Sequence, residues 1–478
     1  MTDWSSELTM ELNNTTHKAM DSHRPTYHLM PHANWMNDPN GPLYYNGEYH
    51  LFYQYNPFGN QWGSIHWGHA SSADLVRWRH WPVALRPSPS LGEEHCFSGS
   101  AVLCNGIPTI LYTSVGREER NSHSGAEQWM ATSHDGMVTW EKYQGNPVMT
   151  NAIHGDMMVL EWRDPFVWQE NGVWYMVLGG KHADRGCALI YRSTNLTEWE
   201  FLNKLMEEPG ETWECPNLFR LGDHHVLVYS PLGPVRYHVG ALNADFTFTG
   251  KQSGWIDHGG FEGYYATNSI VDEQSRRIMW GWIPEAARGE FRKDCEWAGV
   301  QSLPRVITLG PDDLLGMHPL PELTLLRNRH WHEENLVIFG QGYLSDATGR
   351  ALEIVATMEI PSPDSSFHLK VLSSLETGEE TVITFHADTR QFTFDRSKSS
   401  LSDLPHKSSL TATSPILENM ITLHVFVDHS VVEVFINYRE CITTRVYPIS
   451  DDAVHVALCG DADQTLRVKS LDVWQLTP

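Results

Sequence analysis

The fold is predicted first from Gly172-Val173-Trp174-Tyr175-Met176-Val177, a polar turn followed by a run of aromatic and apolar residues. Runs of this length with this composition predict short β-strands. Four similar segments recur at intervals of about 50 to 65 residues. These segments are Gly47–Tyr53, Ile107–Tyr112, Asp223–Tyr229 and Arg276–Trp282.

A second repeat is interleaved with the first, and it consists of a Ser-x-Asp or Ser-x-Asn turn followed by a tryptophan. We interpret each tryptophan as a plug between neighbouring units. Five repeats across residues 25–325, with about four strands in each, predict a five-bladed β-propeller. The alternative is a generic β-rich domain whose strands resemble one another by chance. The second repeat comprises Ser72, Asp74 and Trp78, then Ser133, Asp135 and Trp140, then Ser193, Asn195 and Trp199.

The sequence pattern changes after Pro319 and Pro321. Apolar residues alternate with polar ones from Leu352 to Ile360, and residues 423–436 are typical of a hairpin. Residues 335–478 are therefore predicted to form an antiparallel β-sandwich, to which we assign no chemistry. Helix signals are sparse, and they favour only residues 317–328 and the N-terminal arm, residues 1–24.

The N-terminal arm contains Leu8 to Leu12, which is either a short amphipathic segment or a frayed terminus. Residues 1–14 show no basic stretch followed by an apolar one. We therefore expect a cytoplasmic protein, or a secreted one whose signal segment has been removed.

Composition excludes several classes of function. Lys plus Arg number 34 against 59 Asp plus Glu, a net charge of −25 that disfavours nucleic acid and anionic membrane surfaces as partners. No run of 18 apolar residues occurs, so no spanning helix is expected. The seven cysteines form no C-x-x-C pair, which argues against a disulfide framework and a thiolate zinc site. Aromatic residues make up 11% of the chain, a composition that favours an all-β, sugar-handling protein.

Three acidic residues lie in matching contexts: Asp38, Asp164 and Glu214 each follow a tryptophan by one to three residues and precede a proline by one or two. The proline keeps its predecessor out of helical geometry, so we expect these acids at strand entries or turns. The tryptophan is predicted to form an apolar wall beside the carboxyl. Taken singly, the context of Asp38 is typical of a turn, that of Asp164 of a solvated charge pair with Arg163, and that of Glu214 of an ordinary strand residue. Together, they suit a two-carboxylate glycosidase with a helper acid.

At these residues the chain resembles glycoside hydrolase family 32, which contains invertases, fructan exohydrolases and sucrose-6-phosphate hydrolases. Residues 35–41, 163–165 and 214–216 are similar to its three motifs, in the family's order. The resemblance implies a five-bladed propeller followed by a β-sandwich, in agreement with the repeats. It continues through residues 52–57, 62–63, 67–69, 97–101, 264–266, 281–282 and 432–435.

The resemblance implies retaining cleavage of terminal β-D-fructofuranosides. Asp38 would be the nucleophile, Glu214 the acid and base, and Asp164 the stabiliser of the transition state, with Arg163 holding nearby charge in place. We also expect one of the crowded carboxyls to keep its proton near neutral pH. The pocket for the terminal fructosyl ring would comprise Trp35, Asn37, Gln54, Trp62, Phe97, Ser98, Arg163, Tyr265 and Trp282.

We expect a small saccharide as the partner, no cofactor and no metal, since neither His66-x-x-His69 nor His224-His225 forms an H-E-x-x-H helix. A homo-oligomer is expected if the N-terminal arm reaches a neighbouring subunit. Three alternatives remain open: a fructosyltransferase, a sugar-binding propeller without activity, and an inverting five-bladed glycosidase such as an arabinan-cleaving enzyme. Sucrose, inulin, levan and sucrose 6-phosphate are equally open as substrates.

Overall fold

The structure is a computed structural model, and it describes residues 21–116, 126–291, 294–339, 342–360, 365–417, 419–461 and 465–478. Strands dominate these residues, and the helices among them are short 3₁₀ turns. No helix in these ranges is long and apolar enough to cross a membrane. The predicted amphipathic segment, Leu8 to Leu12, lies outside the described residues.

Five antiparallel sheets form the first part of the described chain, and they confirm the predicted propeller. The innermost strands of the five sheets contact one another in a closed ring, in the order of the chain. We number the sheets as blades 1 to 5 in that order. Their main strands are Asn34–Tyr45, Glu48–Asn56, His66–Ser72 and Arg79–Leu85 (blade 1); Glu93–Cys104, Ile107–Gly116, Glu127–Thr132 and Glu141–Lys142 (blade 2); Leu160–Glu170, Val173–His182, Arg185–Ser193 and Trp199–Pro209 (blade 3); Glu214–Leu221, His224–Ser230, Arg236–Leu242 and Phe248–Trp255 (blade 4); Tyr265–Val271, Arg277–Ile283, Arg305–Leu309 and Leu315–Pro319 (blade 5).

Three short strands complete the blades. Met149–Thr150 joins blade 2 and Val300–Gln301 joins blade 5. Trp297–Ala298 lies parallel to the innermost strand of blade 1 and pairs with Asn34 and Trp35. A late segment of the chain therefore closes the ring against its first blade.

The interleaved repeat forms the interfaces between blades, as the sequence predicts. In each copy the serine hydroxyl donates to the Asp or Asn two residues later, over 2.9 to 3.2 Å. Trp78 packs edge-on against Trp280 of blade 5, and Trp140 packs edge-on against Phe52 of blade 1. These two tryptophans thus pack between adjacent blades, where burial of their large apolar area stabilises the contact.

The rest of the described chain forms two six-stranded antiparallel sheets that enclose one apolar core, which confirms the predicted sandwich. We name the sheet that packs on the propeller the interface sheet, because its Phe426, Phe435 and Trp474 join the propeller's apolar core. The interface sheet contains Arg327–Phe339, Thr465–Leu476, Ala351–Glu359, Met420–Asp428, Val431–Ile436 and Glu440–Arg445, and the outer sheet contains Tyr343–Thr348, His455–Gly460, Ser366–Ser373, Thr381–His386, Gln391–Asp395 and Leu410–Thr413.

Charged groups are buried between the two parts. Glu433 accepts a hydrogen bond from Arg305 over 2.7 Å, and Arg305 lies 2.9 Å from Asp257, all three side chains being fully buried. His28 bridges Asp428 and Glu433 over 2.8 and 3.1 Å. Burial by itself would raise the pKa of Glu433, but Arg305 and His28 hold it below its ordinary value. The contact therefore depends on matched charges as well as apolar area.

The predicted helix over residues 317–328 is wrong. Leu315–Pro319 is a strand, and Pro321–Leu326 is a 3₁₀ helix with its proline in the first turn. Proline lacks the N–H of a helix interior, so the apolar spacing around it does not extend into an α-helix. The remaining 3₁₀ helices are Pro89–Leu91, Asn151–His154, Gly260–Glu262 and Ala286–Arg288. The predicted domain boundaries, residues 1–24, 25–325 and 335–478, stay a prediction.

Candidate active site

Each of the five innermost strands carries one extra residue at the same level of its blade. On all five strands, three residue steps on the innermost strand oppose two on its neighbour, which defines a β-bulge. A bulge bends its strand and re-aims the side chains next to it. The bulges lie between Met36 and Pro39, Cys96 and Gly99, Arg163 and Phe166, Glu214 and Asn217, and Tyr265 and Asn268.

The bulges have a cost in backbone geometry. Asp164, Cys215 and Ala266 occupy equivalent positions in blades 3, 4 and 5, and their φ angles are +65°, +47° and +52°. Residues other than glycine adopt such angles rarely, and they are concentrated at functional sites. Pro165 and Pro216 follow two of these residues, where the interrupted ladder does not need an N–H donor.

Asp38 lies in the bulge of blade 1, and its two shortest hydrogen bonds come from neutral donors. The Ser98 hydroxyl donates to its Oδ2 over 2.5 Å, and the Asn37 amide donates to its Oδ1 over 3.0 Å. Gln54 links both donors, accepting from Asn37 over 2.6 Å and donating to Ser98 over 2.5 Å. Burial raises the pKa of Asp38, and the charge of Glu214 adds to this, although its donors oppose it.

Asp164 is buried in the bulge of blade 3. Its Oδ2 accepts the backbone N–H of Cys215 over 3.0 Å and lies 3.6 Å from the Cys215 thiol, which also lies 3.4 Å from Asp38. Burial raises the pKa of Asp164 to about 7; the charges of Asp38 and Glu214 add to the rise, and Arg163 opposes it. A pKa raised in this way fits the expectation that one of the crowded carboxyls keeps its proton near neutral pH.

Glu214 begins the innermost strand of blade 4 and has two charged or polar neighbours. Arg163 donates to its Oε1 and the Tyr265 hydroxyl donates to its Oε2. Tyr265 also accepts the backbone N–H of Leu232 over 3.0 Å, which fixes the ring. Burial lowers the pKa of Arg163, but the charges of Glu214, Asp164 and Glu161 raise it above its ordinary value, so Arg163 stays charged.

These groups surround a cavity of about 740 Å³ on the propeller axis. The structure brings the predicted residues together there, with one exception. Ser98 does not line the cavity but donates a hydrogen bond to Asp38, which does. Trp62 is half exposed at the mouth, where its ring packs near His95 and Phe97. The predicted residues that line the cavity are Trp35, Asn37, Asp38, Gln54, Trp62, Phe97, Arg163, Asp164, Glu214, Tyr265 and Trp282.

The prediction that every preceding tryptophan walls its carboxyl holds only for Trp35. Trp162 is buried and donates to Tyr191, and Trp213 stacks on Tyr229 at a ring distance of 3.6 Å. Both tryptophans are buried in apolar clusters of the propeller and do not line the cavity.

Sequence reasoning missed one side of the cavity, where the rim segment, residues 284–290, lies. The sandwich holds this segment: Arg445 pairs with Glu285, and the Tyr447 hydroxyl donates to Glu285 over 2.7 Å. These contacts span about 160 residues, so no local pattern signals them. The described lining that was not predicted comprises Asn60, Gln61, Glu161, Phe261, Pro284, Glu285, Ala286, Arg288, Gly289, Glu290 and Ala298.

Family models cover most of the chain. The N-terminal domain model of glycosyl hydrolases family 32 matches residues 28–319, and the C-terminal model of that family matches residues 322–475. The chain belongs to glycosyl hydrolases family 32. This family 32 chain is thus a glycoside hydrolase, in agreement with its two-part fold and axial carboxyls.

Curated relatives of this family 32 chain include hydrolases of Escherichia coli. A sucrose-6-phosphate hydrolase is 34% identical over an alignment of 448 residues, and the match covers 89% of each chain. A raffinose invertase is 32% identical, and the match covers 95% of either chain.

Solved structures give the same result. Fructan 1-exohydrolase IIa from Cichorium intybus superposes with a TM-score of 0.85 at 26% identity, covering 96% of this chain and 98% of that one. The family 32 β-fructofuranosidase of Bombyx mori gives 0.81 at 30% identity, covering 95% and 94%.

Proposed function

We propose that the axial cavity hydrolyses terminal β-D-fructofuranosides, sucrose among them, through a covalent fructosyl-enzyme and with retention of configuration. One observation carries this proposal: three carboxyls from three separate blades converge in a cavity of about 740 Å³. A glycosidase of this class needs one carboxylate to attack the sugar and another carboxyl to protonate the departing oxygen.

Asp38 is proposed as the nucleophile. The carboxylate attacks the anomeric carbon C2 as the bond from C2 to the leaving oxygen breaks, and the leaving oxygen takes a proton from Glu214. Ser98 and Asn37 hold both oxygens of Asp38 in place, so that little motion is needed to reach C2. Because Ser98 and Asn37 are uncharged, they orient the Asp38 carboxylate without forming a permanent ion pair with it.

Glu214 is proposed as the acid and then the base. In the second step it removes a proton from water, whose oxygen attacks C2 and releases Asp38 as a carboxylate. The donors Arg163 and Tyr265 fix both oxygens of Glu214, and they stabilise the charge that it carries before it accepts this proton.

Asp164 is proposed to bind the hydroxyls of the fructosyl ring. With a pKa of about 7 it is available both as a donor and as an acceptor near neutral pH. Both Asp164 and Asp38 line the cavity, and this supports the proposal that the Asp164 carboxylate stabilises the positive charge of the oxocarbenium-like transition state.

The charge of the cavity favours uncharged substrates. Its described lining contains six carboxyl groups and two guanidinium groups, Arg163 and Arg288. Both guanidinium groups are paired, Arg163 with Glu214 and Arg288 with Glu285 at 3.6 Å. A phosphate group on the leaving sugar would meet net negative charge, so we propose sucrose and short neutral fructans in preference to sucrose 6-phosphate.

The test is to offer sucrose, inulin, levan and sucrose 6-phosphate separately and to identify the products by chromatography and NMR. We expect free fructose, with the β-anomer formed first, and faster release from sucrose than from its 6-phosphate. Longer oligosaccharides would show a transferase, and an α-anomer formed first would show inversion. Faster turnover of the phosphate ester would contradict the charge argument but not the assignment of the acids.

A further inference from the structure

Three metal-ligating side chains converge on the interface sheet, away from the axial cavity. His330 and His332 lie two residues apart on the strand Arg327–Phe339, and Asp472 lies on the neighbouring strand directly opposite His332. His330 Nε2 is 2.9 Å and His332 Nδ1 is 2.7 Å from the same atom, Oδ1 of Asp472. The three ligand atoms all lie within 4.8 Å of one another, in the part of the chain that the structure describes.

Both imidazole rings are held in this orientation by other groups. The ring of His330 stacks on Trp474, with ring centres 4.5 Å apart and planes 5° apart. The second nitrogen of His332, Nε2, lies 3.2 Å from Oε1 of Glu334. A carboxylate on the far nitrogen of a ligating histidine keeps the proton there and leaves the near nitrogen for the metal.

We propose that His330, His332 and Asp472 bind a Zn²⁺ ion, with Glu334 as the outer partner of His332. Two imidazole nitrogens and one carboxylate oxygen are ligands that Zn²⁺ takes, and a water completes a tetrahedral site. The side chains of the three ligands are 41%, 42% and 20% exposed, which gives the ion a path in and room for that water. The hydrogen bonds to Asp472 already gather the ligand atoms. Zn²⁺ takes the place of the proton that each of these two nitrogens donates to Asp472, and the protons are released to solvent.

The site connects the first and the last strand of the sandwich, just after the 3₁₀ helix Pro321–Leu326 that leads out of the propeller. A metal that binds only the folded chain stabilises it in proportion to the logarithm of metal concentration over Kd. Zinc should therefore raise the thermal midpoint, with no change in fructose release, because none of the three ligands lines the cavity.

The experiment is calorimetric titration of the full, tag-free chain with Zn²⁺, with thermal unfolding measured in parallel. The variants are His332→Gln and Asp472→Asn, and the matched control is His134→Gln, an exposed histidine on blade 2. We expect one Zn²⁺ bound at this site in the wild type and in the control. Either ligand variant should weaken binding at least tenfold and should lose the zinc-dependent rise of the thermal midpoint.

Glu334→Gln provides a graded test, because loss of an outer carboxylate lowers metal affinity by about 10- to 100-fold while the three ligands stay. Zinc binding of unchanged affinity and stoichiometry in both ligand variants would overturn the proposal, as would a wild type that binds no zinc. Fructose release is measured on the same samples, so a failure of the zinc site is distinguishable from a failure of the proposed hydrolysis.

Discussion

The propeller and the sandwich are both built from antiparallel strands, but they differ in where the hydrogen-bonded ladder between strands is interrupted. In the interface sheet, Ala351–Glu359 pairs with Met420–Asp428 residue by residue, and the next two strand pairs continue without a shift. In the propeller, every innermost strand is interrupted by a bulge at the level of the axial cavity. The carboxyls proposed for chemistry lie where the ladder is broken, whereas these three strand pairs of the interface sheet carry packing on an unbroken ladder.

The two regions also handle charge differently. The propeller axis gathers Asp38, Asp164 and Glu214 around one arginine, which leaves an excess of negative charge beside a cavity. The domain interface encloses Arg305 between Glu433, to which it donates a hydrogen bond, and Asp257, with which it forms an ion pair. Unbalanced negative charge is typical of a site with perturbed pKa values, as at the propeller axis. Paired charges at the domain interface favour one specific packing of the sandwich on the propeller.

The largest effect is expected from Asp38→Ala, which removes the proposed nucleophile. No fructosyl-enzyme forms, so kcat should fall by more than the roughly 10²- to 10⁴-fold that is typical of losing an acid or base. Steady-state release of fructose from sucrose measures this, with the exposed Glu170→Gln as a control that should keep wild-type activity. Azide should give a fructosyl azide of inverted configuration, because it replaces the side chain that attacks. A product of retained configuration would contradict the role of Asp38.

Glu214→Ala should lower kcat on sucrose by about 10²- to 10⁴-fold, because the leaving oxygen departs without a proton. An activated fructoside, whose leaving group needs no proton, should recover much of the first step. Azide should then intercept the fructosyl-enzyme and give a product of retained configuration. Rescue of Asp38→Ala but not of Glu214→Ala by the activated fructoside would exchange the two assignments.

Arg305→Met tests the enclosed charges of the interface. It leaves Asp257 buried without its cation and leaves Glu433 with His28 as its charged neighbour, which should lower the free energy of unfolding by about 3–5 kcal/mol. Arg192→Met is the matched control, because Arg192 and Glu200 form an exposed pair whose loss should change that free energy far less than the loss of Arg305. Urea unfolding measures both, and equal effects would show that enclosure of the pair contributes little.

Asp164 predicts a pH dependence of stability. Its folded pKa of about 7 exceeds the ordinary value of 3.8, so the folded state binds more protons than the unfolded state between these values. The free energy of unfolding should therefore fall as pH rises from about 4 to 7, by a few kcal/mol from this group. Asp164→Asn should show a shallower decline in urea titrations over this range. An unchanged slope would mean that Asp164 is ionised at lower pH than its surroundings suggest.

The smallest effect on activity is expected from chelation. Fructose release should stay within about twofold of the untreated rate in excess EDTA, because side chains supply both the nucleophile and the proton. The thermal midpoint of zinc-loaded protein should fall in the same samples, toward that of the metal-free chain. Loss of activity that Zn²⁺ or Ca²⁺ restores would contradict the proposed chemistry.

Local patterns were sufficient to predict the architecture and the three acids. The five turn-and-strand segments and the tryptophan plugs repeat within about 65 residues, so periodicity reveals them. The acids stand out because tryptophan and proline flank each of them. The bulges were not predictable, because Cys215 and Ala266 carry no sequence mark of a positive φ angle.

Contacts between residues far apart in the chain were the second feature that the sequence could not predict. The rim segment, residues 284–290, reaches the cavity because Arg445 and Tyr447 of the sandwich hold Glu285. The helix predicted over residues 317–328 failed for a related reason, since Leu315–Pro319 pairs with Arg305–Leu309 as a strand of blade 5. Pairing with a neighbouring strand overrides local apolar spacing.

The bridge from His28 to Asp428 imposes an order on biosynthesis. The two residues are 400 positions apart, so His28 leaves the ribosome long before its partner exists. At about 5–20 residues per second, that interval is about 20 to 80 s. The fully buried contact of His28 therefore cannot form until Asp428 has been translated.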